Sequence, residues 1–194
     1  MTILAPAPTR TPPASLTPEE LLSLPDAVGF ELVDGKLVER HMGMESSAIA
    51  GNIYLSLGNF VKEHRLGHTF PADASYHCFP DGPIDVRKPD VSFIRIGRLP
   101  GERIPKGHCP IPPDLAVEVV SPNDSAYELE EKIEQYLSVN IPLIWVVYPP
   151  SRIVRIFRPG ASPLGDSFAL KAGDTITGEG VIPGFSCPVA AFFE

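Results

Sequence analysis

Disulfide chemistry has little to work with in this chain. Cys78, Cys109 and Cys187 are its three cysteines in 194 residues, and they lie far apart. Their odd number, and the lack of any Cys-x-x-Cys pair, argue against a disulfide scaffold or a zinc ribbon. Long apolar runs are missing as well. No window approaches the ~18 consecutive apolar residues of a membrane helix, so no membrane partner is expected. The N-terminus lacks the basic-then-apolar pattern of a signal peptide, because prolines follow Met1 to Ala5 at once, and the expected location is cytoplasmic. Glycine-rich phosphate loops are absent: Gly160 and Gly165 stand isolated and no G-x-x-x-x-G-K occurs. His41, His64, His68, His77 and His108 show no paired metal spacing. Positive charge is in deficit, with a formal net charge of -8. That counts against a protein that coats nucleic acid non-specifically. It does not count against a nuclease, because a metal-binding group of carboxylates is itself acidic and the bound cation changes the local field.

Apolar residues, by contrast, are plentiful at 43%, and the mean hydropathy is +0.06. This is enough for a sizeable core, and the length suits one domain. Residues 1–15 read as a disordered tail, with Pro6, Pro8, Pro12 and Pro13 set among Ala and Thr. Residues 16–194 read as a single domain. Thr17-Pro18-Glu19-Glu20 is a capping box with a proline start, opening a short helix that stops before Pro25. Asp34-Gly35 between two strand-like runs predicts a hairpin over residues 30–40. Helical spacing of Ile49, Ile53, Leu57, Phe60 and Val61 predicts a helix over residues 46–64. Short strands are expected at residues 68–70, 75–79 and 90–94, and residues 98–113 read as an exposed loop. The near-continuous apolar run at residues 115–120 suits a central strand covered on both faces. A helix over residues 126–138 carries the stripe Leu129, Ile133, Tyr136 and Leu137, and another apolar strand follows at residues 143–148. The expected fold is α/β or α+β, a mixed sheet flanked by helices, with a right-handed crossover between parallel strands.

Two features carry chemistry. Lys88-Pro89-Asp90 leads into a strand, and Glu118 stands inside an apolar strand between Val117 and Val119. A carboxylate there is costly unless a bound cation, an ion pair or protonation offsets it. Carboxylates on neighbouring strands plus a backbone carbonyl make a half-shell for Mg²⁺, which takes oxygen ligands and keeps several waters. Such an ion polarises a phosphate and stabilises a leaving oxygen. Arg87-Lys88 and the spread of Arg95, Arg98, Arg103 and Lys106 give local basic density, which also reads as a solvated face.

Four segments resemble the Uma-type family of restriction-endonuclease-like proteins, within the PD-(D/E)XK nuclease superfamily. They are Phe30-Glu31-Leu32-Val33-Asp34-Gly35-Lys36-Leu37-Val38-Glu39, Arg87-Lys88-Pro89-Asp90-Val91-Ser92-Phe93, Pro113-Asp114-Leu115-Ala116-Val117-Glu118-Val119-Val120-Ser121-Pro122, and Glu131-Lys132-Ile133-Glu134-Gln135-Tyr136-Leu137 running into Ile144-Trp145-Val146-Val147. The resemblance extends from about Leu16 to the C-terminus. It implies a restriction-endonuclease-like sheet, Mg²⁺ or Mn²⁺ as cofactor, and DNA as substrate. Asp90 and Glu118 match the motif carboxylates and would ligate the metal, with the Val119 carbonyl as a third ligand. Glu31 matches the acidic residue of the first strand, a further ligand or a water-orienting group. The superfamily lysine two residues after Glu118 is replaced by Val120, and Lys132 in the following helix occupies the place that many family members use instead. Glu128, one turn earlier, is a candidate partner for Lys132. Symmetric duplex cutting would imply a homodimer.

Three functions compete at this point: a metal-dependent DNA endonuclease, a non-catalytic binding or structural module on the nuclease fold, and a hydrolase of small phosphoesters. A basic groove beside the site would argue against the third.

Overall fold

Thr17 opens the first helix by closing its capping box. Its hydroxyl accepts the Glu20 N–H at 3.2 Å, and its own N–H donates to the Glu20 carboxylate at 2.9 Å. Helix α1 spans Pro18–Ser23 and buries Leu21 against Leu32 and Val86. The computed structural model describes residues 15–25, 27–81 and 84–194, so the expected tail lies outside the described residues except for Ser15. The hairpin follows as β1 (Phe30–Val33) and β2 (Lys36–Glu39). Its turn residues Asp34 and Gly35 both have positive φ, 49° and 73°, which matches the right-handed twist of the flanking strands. Gly35 is needed there for space too, since a Cβ would lie 2.6 Å from the Ser15 Cβ.

Helix α2 spans Met44–His64 and ends in a left-handed Arg65. It starts two residues before the expected residue 46, because the Gly43 N–H donates to the Ser46 hydroxyl and the Ser47 N–H reaches the Gly43 carbonyl. Then come β3 (Gly67–Pro71), β4 (Val91–Arg95), β5 (Leu115–Val119), α3 (Ala126–Ser138), β6 (Leu143–Tyr148), β7 (Ile153–Arg158) and β8 (Asp166–Lys171). These strands form one six-stranded sheet in chain order. β5 and β6 are parallel through the α3 crossover, and the other neighbours are antiparallel. A separate ribbon pairs β9 (Thr175–Thr177) with β10 (Ser186–Pro188).

Alternation along the strands sorts the side chains onto two faces. Val91, Phe93, Leu115, Val117 and Val119 pack with α2 residues Ile49, Ile53 and Leu57, and Trp145 is fully buried in that layer. Ile94, Ala116, Ile144 and Val146 pack on the opposite face with Ile133, Tyr136 and Leu137 of α3.

The structure differs from three expectations. Residues 75–79 do not form a strand; Tyr76 makes isolated bridges to Arg87 and Cys109, and its neighbour Phe79 turns into the core before Pro80. The ladder of β4 begins at Val91, with Asp90 just ahead of it. The loop of residues 98–113 is not simply exposed: it contains a turn of 3₁₀-helix at Pro100–Glu102 and buries Leu99 and Cys109. Among the described residues, no helix is long and apolar enough to cross a membrane.

Candidate active site

The two-residue period of β5 sends Val117 and Val119 into the α2 layer and Glu118 toward α3. Asp90 shares the parity of Ser92 and Ile94, so it leaves the end of β4 on the same face as Glu118. Its N–H still pairs with the Val117 carbonyl at 2.9 Å, and its Oδ2 accepts the Val119 N–H at 2.7 Å. The hairpin supplies the third acid: Leu32 turns into its own small cluster, while Glu31 turns the other way and is almost fully buried. Glu31, Asp90 and Glu118 thus meet at one cleft of about 180 Å³, together with Arg40, Arg87 and Lys132.

Each acid has a basic partner. Arg40 donates through Nη2 to Asp90 Oδ1 at 2.7 Å. Arg87 donates through Nη1 to Glu31 Oε2 at 3.2 Å and through Nε to Gln135 at 2.7 Å. Lys132 Nζ lies 3.2 Å from Glu31 Oε2 and 3.4 Å from Glu118 Oε2. Tyr136, four residues after Lys132 on the same face of α3, donates its hydroxyl to Glu118 Oε1 at 2.7 Å. Glu31 Oε1 takes the Lys88 N–H at 2.7 Å.

These contacts pull the carboxyls apart in acidity. Burial, then Asp90 and Glu31, push Glu118 up to about 7 despite Lys132 and Tyr136. Burial also raises Asp90, against the Val119 N–H and Arg40. Glu31 goes the other way: burial opposes its charge, but Lys132, Arg87 and the Lys88 N–H outweigh it and hold its carboxyl below the usual range. Lys132 is kept charged, since Glu118 and Glu31 outweigh its own burial.

A family model described as Uma2, putative restriction endonuclease, matches residues 18–190. The chain belongs to the Uma2 family. Its fold is similar to that of a solved structure, a putative nuclease belonging to DUF820 from Anabaena variabilis ATCC 29413, with a TM-score of 0.75 and 21% identity over 92% of this chain and 97% of that one. At that identity the likeness carries the fold alone. No curated protein matches the chain.

Several sequence readings change in this Uma2 member. Arg87 and Lys88 are not a solvated face; both are buried, and Lys88 Nζ donates to the Ala27 and Val28 carbonyls. Arg95 and Arg98 are tied to the chain itself, through the Gly180 carbonyl and Asp114. Lys132 pairs with Glu31 and Glu118 rather than with Glu128, because its stem follows the apolar stripe inward. Repulsion among carboxylates is not the main reason that Glu118 titrates high; burial is. Arg40, Tyr136 and Gln135 join the site without a site role in the sequence reading. Two were within reach of simple rules. Val38 sits opposite Glu31 in the hairpin, so Arg40, two residues on, falls on the Glu31 face, and Tyr136 lies one helical turn from Lys132. Gln135 carried no comparable signal.

The donor set fits a hard divalent cation in chemistry, since carboxylate and carbonyl oxygens are what Mg²⁺ and Mn²⁺ take. Among the described residues, no group of three or more His, Cys, Asp or Glu side chains is arranged to hold a metal ion. The fit therefore rests on two carboxylates and a backbone carbonyl, with Glu31 already committed on both oxygens to Lys88, Arg87 and Lys132.

Proposed function

We propose that this Uma2 member is a metal-dependent endonuclease that hydrolyses DNA phosphodiester bonds, with Mg²⁺ or Mn²⁺ held by Asp90, Glu118 and the Val119 carbonyl. The observation that carries the reading is the position of Lys132, whose ammonium lies against both Glu118 and Glu31 in the cleft, in a family whose description reads putative restriction endonuclease. The cation, when bound, would polarise the phosphate and stabilise the leaving oxygen. Lys132 adds fixed positive charge where negative charge grows on the phosphate during attack. It does the work of the lysine that Val120 replaces. Glu31 acts as a positioning residue: it is charged, rigidly held, and aims the Lys132 ammonium. Tyr136 holds one oxygen of Glu118 and leaves the other for the cleft.

The test is nicking of supercoiled plasmid in Mg²⁺ or Mn²⁺. The wild-type chain is expected to cut, and Asp90→Asn and Glu118→Gln to lose cutting. Equal cutting by all three proteins defeats the reading. A second reading, a nuclease-fold module that does not cleave, is favoured by one observation: both Asp90 oxygens are already taken, by Arg40 and the Val119 N–H. On that reading, DNA binding persists and no divalent ion brings cutting.

A further inference from the structure

We infer that Arg40 is a tethered counter-ion of Asp90 that a divalent cation has to displace, so that the chain's own guanidinium sets the metal affinity of the site. This rests on the proposed metal site and adds to it a competition between two cations for one oxygen.

The argument starts from how Asp90 is held. Oδ2 is fixed by the backbone of β5 through the Val119 N–H. Oδ1, which accepts from Arg40 Nη2 at 2.7 Å, is the oxygen whose partner is a side chain and can change. A desolvated carboxylate needs positive charge beside it in any state. Two cations on one buried carboxylate oxygen repel each other strongly where water does not screen them. The guanidinium and a metal ion are therefore alternatives at Oδ1.

The local charge count points the same way. Glu31, Asp90 and Glu118 face Arg87, Arg40 and Lys132, three acids against three bases. Each of the three carboxyls thus has a basic side chain beside it without an external ion, which helps them stay buried together.

Of the three bases, Arg40 is the one whose ion pairing is with a single acid, so it has the fewest charged contacts to give up. Arg87 is 4% exposed and wedged between Glu31 and Gln135. Lys132 is 17% exposed but is shared by two acids, Glu31 at 3.2 Å and Glu118 at 3.4 Å. Arg40 is 12% exposed and stands just past β2, its backbone N–H tied to the Gly29 carbonyl at 2.8 Å. Its other side-chain partner is the Ala72 carbonyl in the loop after β3, at 2.9 Å. Rotation about that second contact would free Oδ1 and leave the guanidinium in the cleft.

Mn²⁺ titration of the full chain by calorimetry tests this, with Arg40→Gln, Arg40→Lys and Asp90→Asn beside the wild type, and melting curves with and without Mn²⁺. Arg40→Gln is expected to bind Mn²⁺ at least ten-fold more tightly than the wild type. It should melt lower without metal and gain more from Mn²⁺ than the wild type does, as ligand linkage requires. Arg40→Lys keeps the charge with a weaker hold on Oδ1, so its affinity should fall between the two; this variant keeps the test decisive if Arg40→Gln does not fold. Asp90→Asn should not bind. If the wild type binds and the Arg40 variants bind equally or more weakly, Arg40 is structural and the inference falls alone. If Mn²⁺ binds undiminished to Asp90→Asn, the ion sits elsewhere and the inference falls. If no variant binds Mn²⁺, the metal reading of the site falls with it.

Discussion

Tyr136 donates its hydroxyl to Oε1 of Glu118 at 2.7 Å, and this contact determines which Glu118 oxygen is left to face Lys132. Both residues are buried, so neither oxygen nor hydroxyl has water as an easy substitute. Tyr136→Phe keeps the ring in its apolar layer and removes only the donor. It is expected to cost about 1–3 kcal/mol of stability, the penalty for leaving a buried acceptor unpaired. The bond favours the ionised form of Glu118, so its loss should move the Glu118 titration further above 7. Urea denaturation and ¹³C titration of labelled glutamate carboxyls measure the two effects. No change in either means that the hydroxyl is incidental.

The acidity of Glu118 also predicts a pH dependence. Burial first, then Asp90 and Glu31, hold it at about 7 against an ordinary 4.5. Between those values the folded chain keeps a proton that the unfolded chain has lost. Stability therefore falls as pH rises through that window, by at most about 3 kcal/mol from this group. Glu31 acts with the opposite sign. Its pKa is lowered, because the burial that opposes its charge is outweighed by Lys132, Arg87 and the Lys88 N–H, so its contribution is present above its unfolded value and is lost only toward acid. In the metal-free protein, Glu118→Gln should lie close to the wild type at pH 5, where Glu118 is already neutral, and gain on it by pH 8. Denaturation midpoints at the two pH values check this. A stability difference that does not grow with pH rules out a buried, proton-holding Glu118.

Much of this arrangement could be read from residue order. The apolar run around Glu118 marked it as a buried carboxyl, the Asp34-Gly35 turn marked the hairpin, and the 3.6-residue stripe of α3 placed Lys132 at its edge. All three are local periodicities, and local rules suffice for them. The partners were harder. Arg40 and Asp90 are 50 residues apart in sequence, Arg87 and Gln135 48, and nothing local says that they meet. Arg87 and Lys88 stay ambiguous in the sequence for the same reason: a basic pair reads equally as surface until the acids and carbonyls that bury it are known. Residues 75–79 had strand-like composition, but the sheet's edge is taken by β3, and the segment packs as irregular chain instead.

Lys132 offers a separation of roles. Lys132→Ala should lower DNA cleavage by at least about 10²-fold, the usual scale for losing one charge stabiliser of the transition state. Mn²⁺ binding should survive, and any change should be toward tighter binding, because the lysine supplies no ligand oxygen and its ammonium lies 3.4 Å from Glu118. Single-turnover cleavage and calorimetry on the same preparation check the two halves. If cleavage survives the substitution, Lys132 is a structural cation holding Glu31 and Glu118 together, and the non-catalytic reading of the fold gains.

Arg87 tests whether Glu31 positions Lys132. Its guanidinium serves two partners at once: Nε donates to Gln135 at 2.7 Å and Nη1 to Glu31 at 3.2 Å. Gln135 in turn donates to Asp85 at 2.9 Å, and Asp85 accepts the hairpin's Asp34 N–H at 2.7 Å. The chain of contacts thus runs from the α3 helix to the turn of the hairpin that carries Glu31. Lysine cannot reproduce a two-pronged donor, so Arg87→Lys keeps the charge and loses the geometry. It is expected to cost about 1–3 kcal/mol in denaturation, the range for losing a hydrogen bond to a charged, buried group. Paired with Glu31→Gln in a double-mutant cycle, it should show a coupling of about 0.5–3 kcal/mol, as residues in one network do. Cleavage should fall in Arg87→Lys although Arg87 is not assigned to the phosphate, and the fall should show in kcat more than in KM, because the ammonium of Lys132 would then be poorly aimed rather than absent. If Arg87→Lys and Glu31→Gln act additively, Glu31 is not held by Arg87 in the way the geometry requires, and its role reverts to that of a direct ligand or water-orienting group.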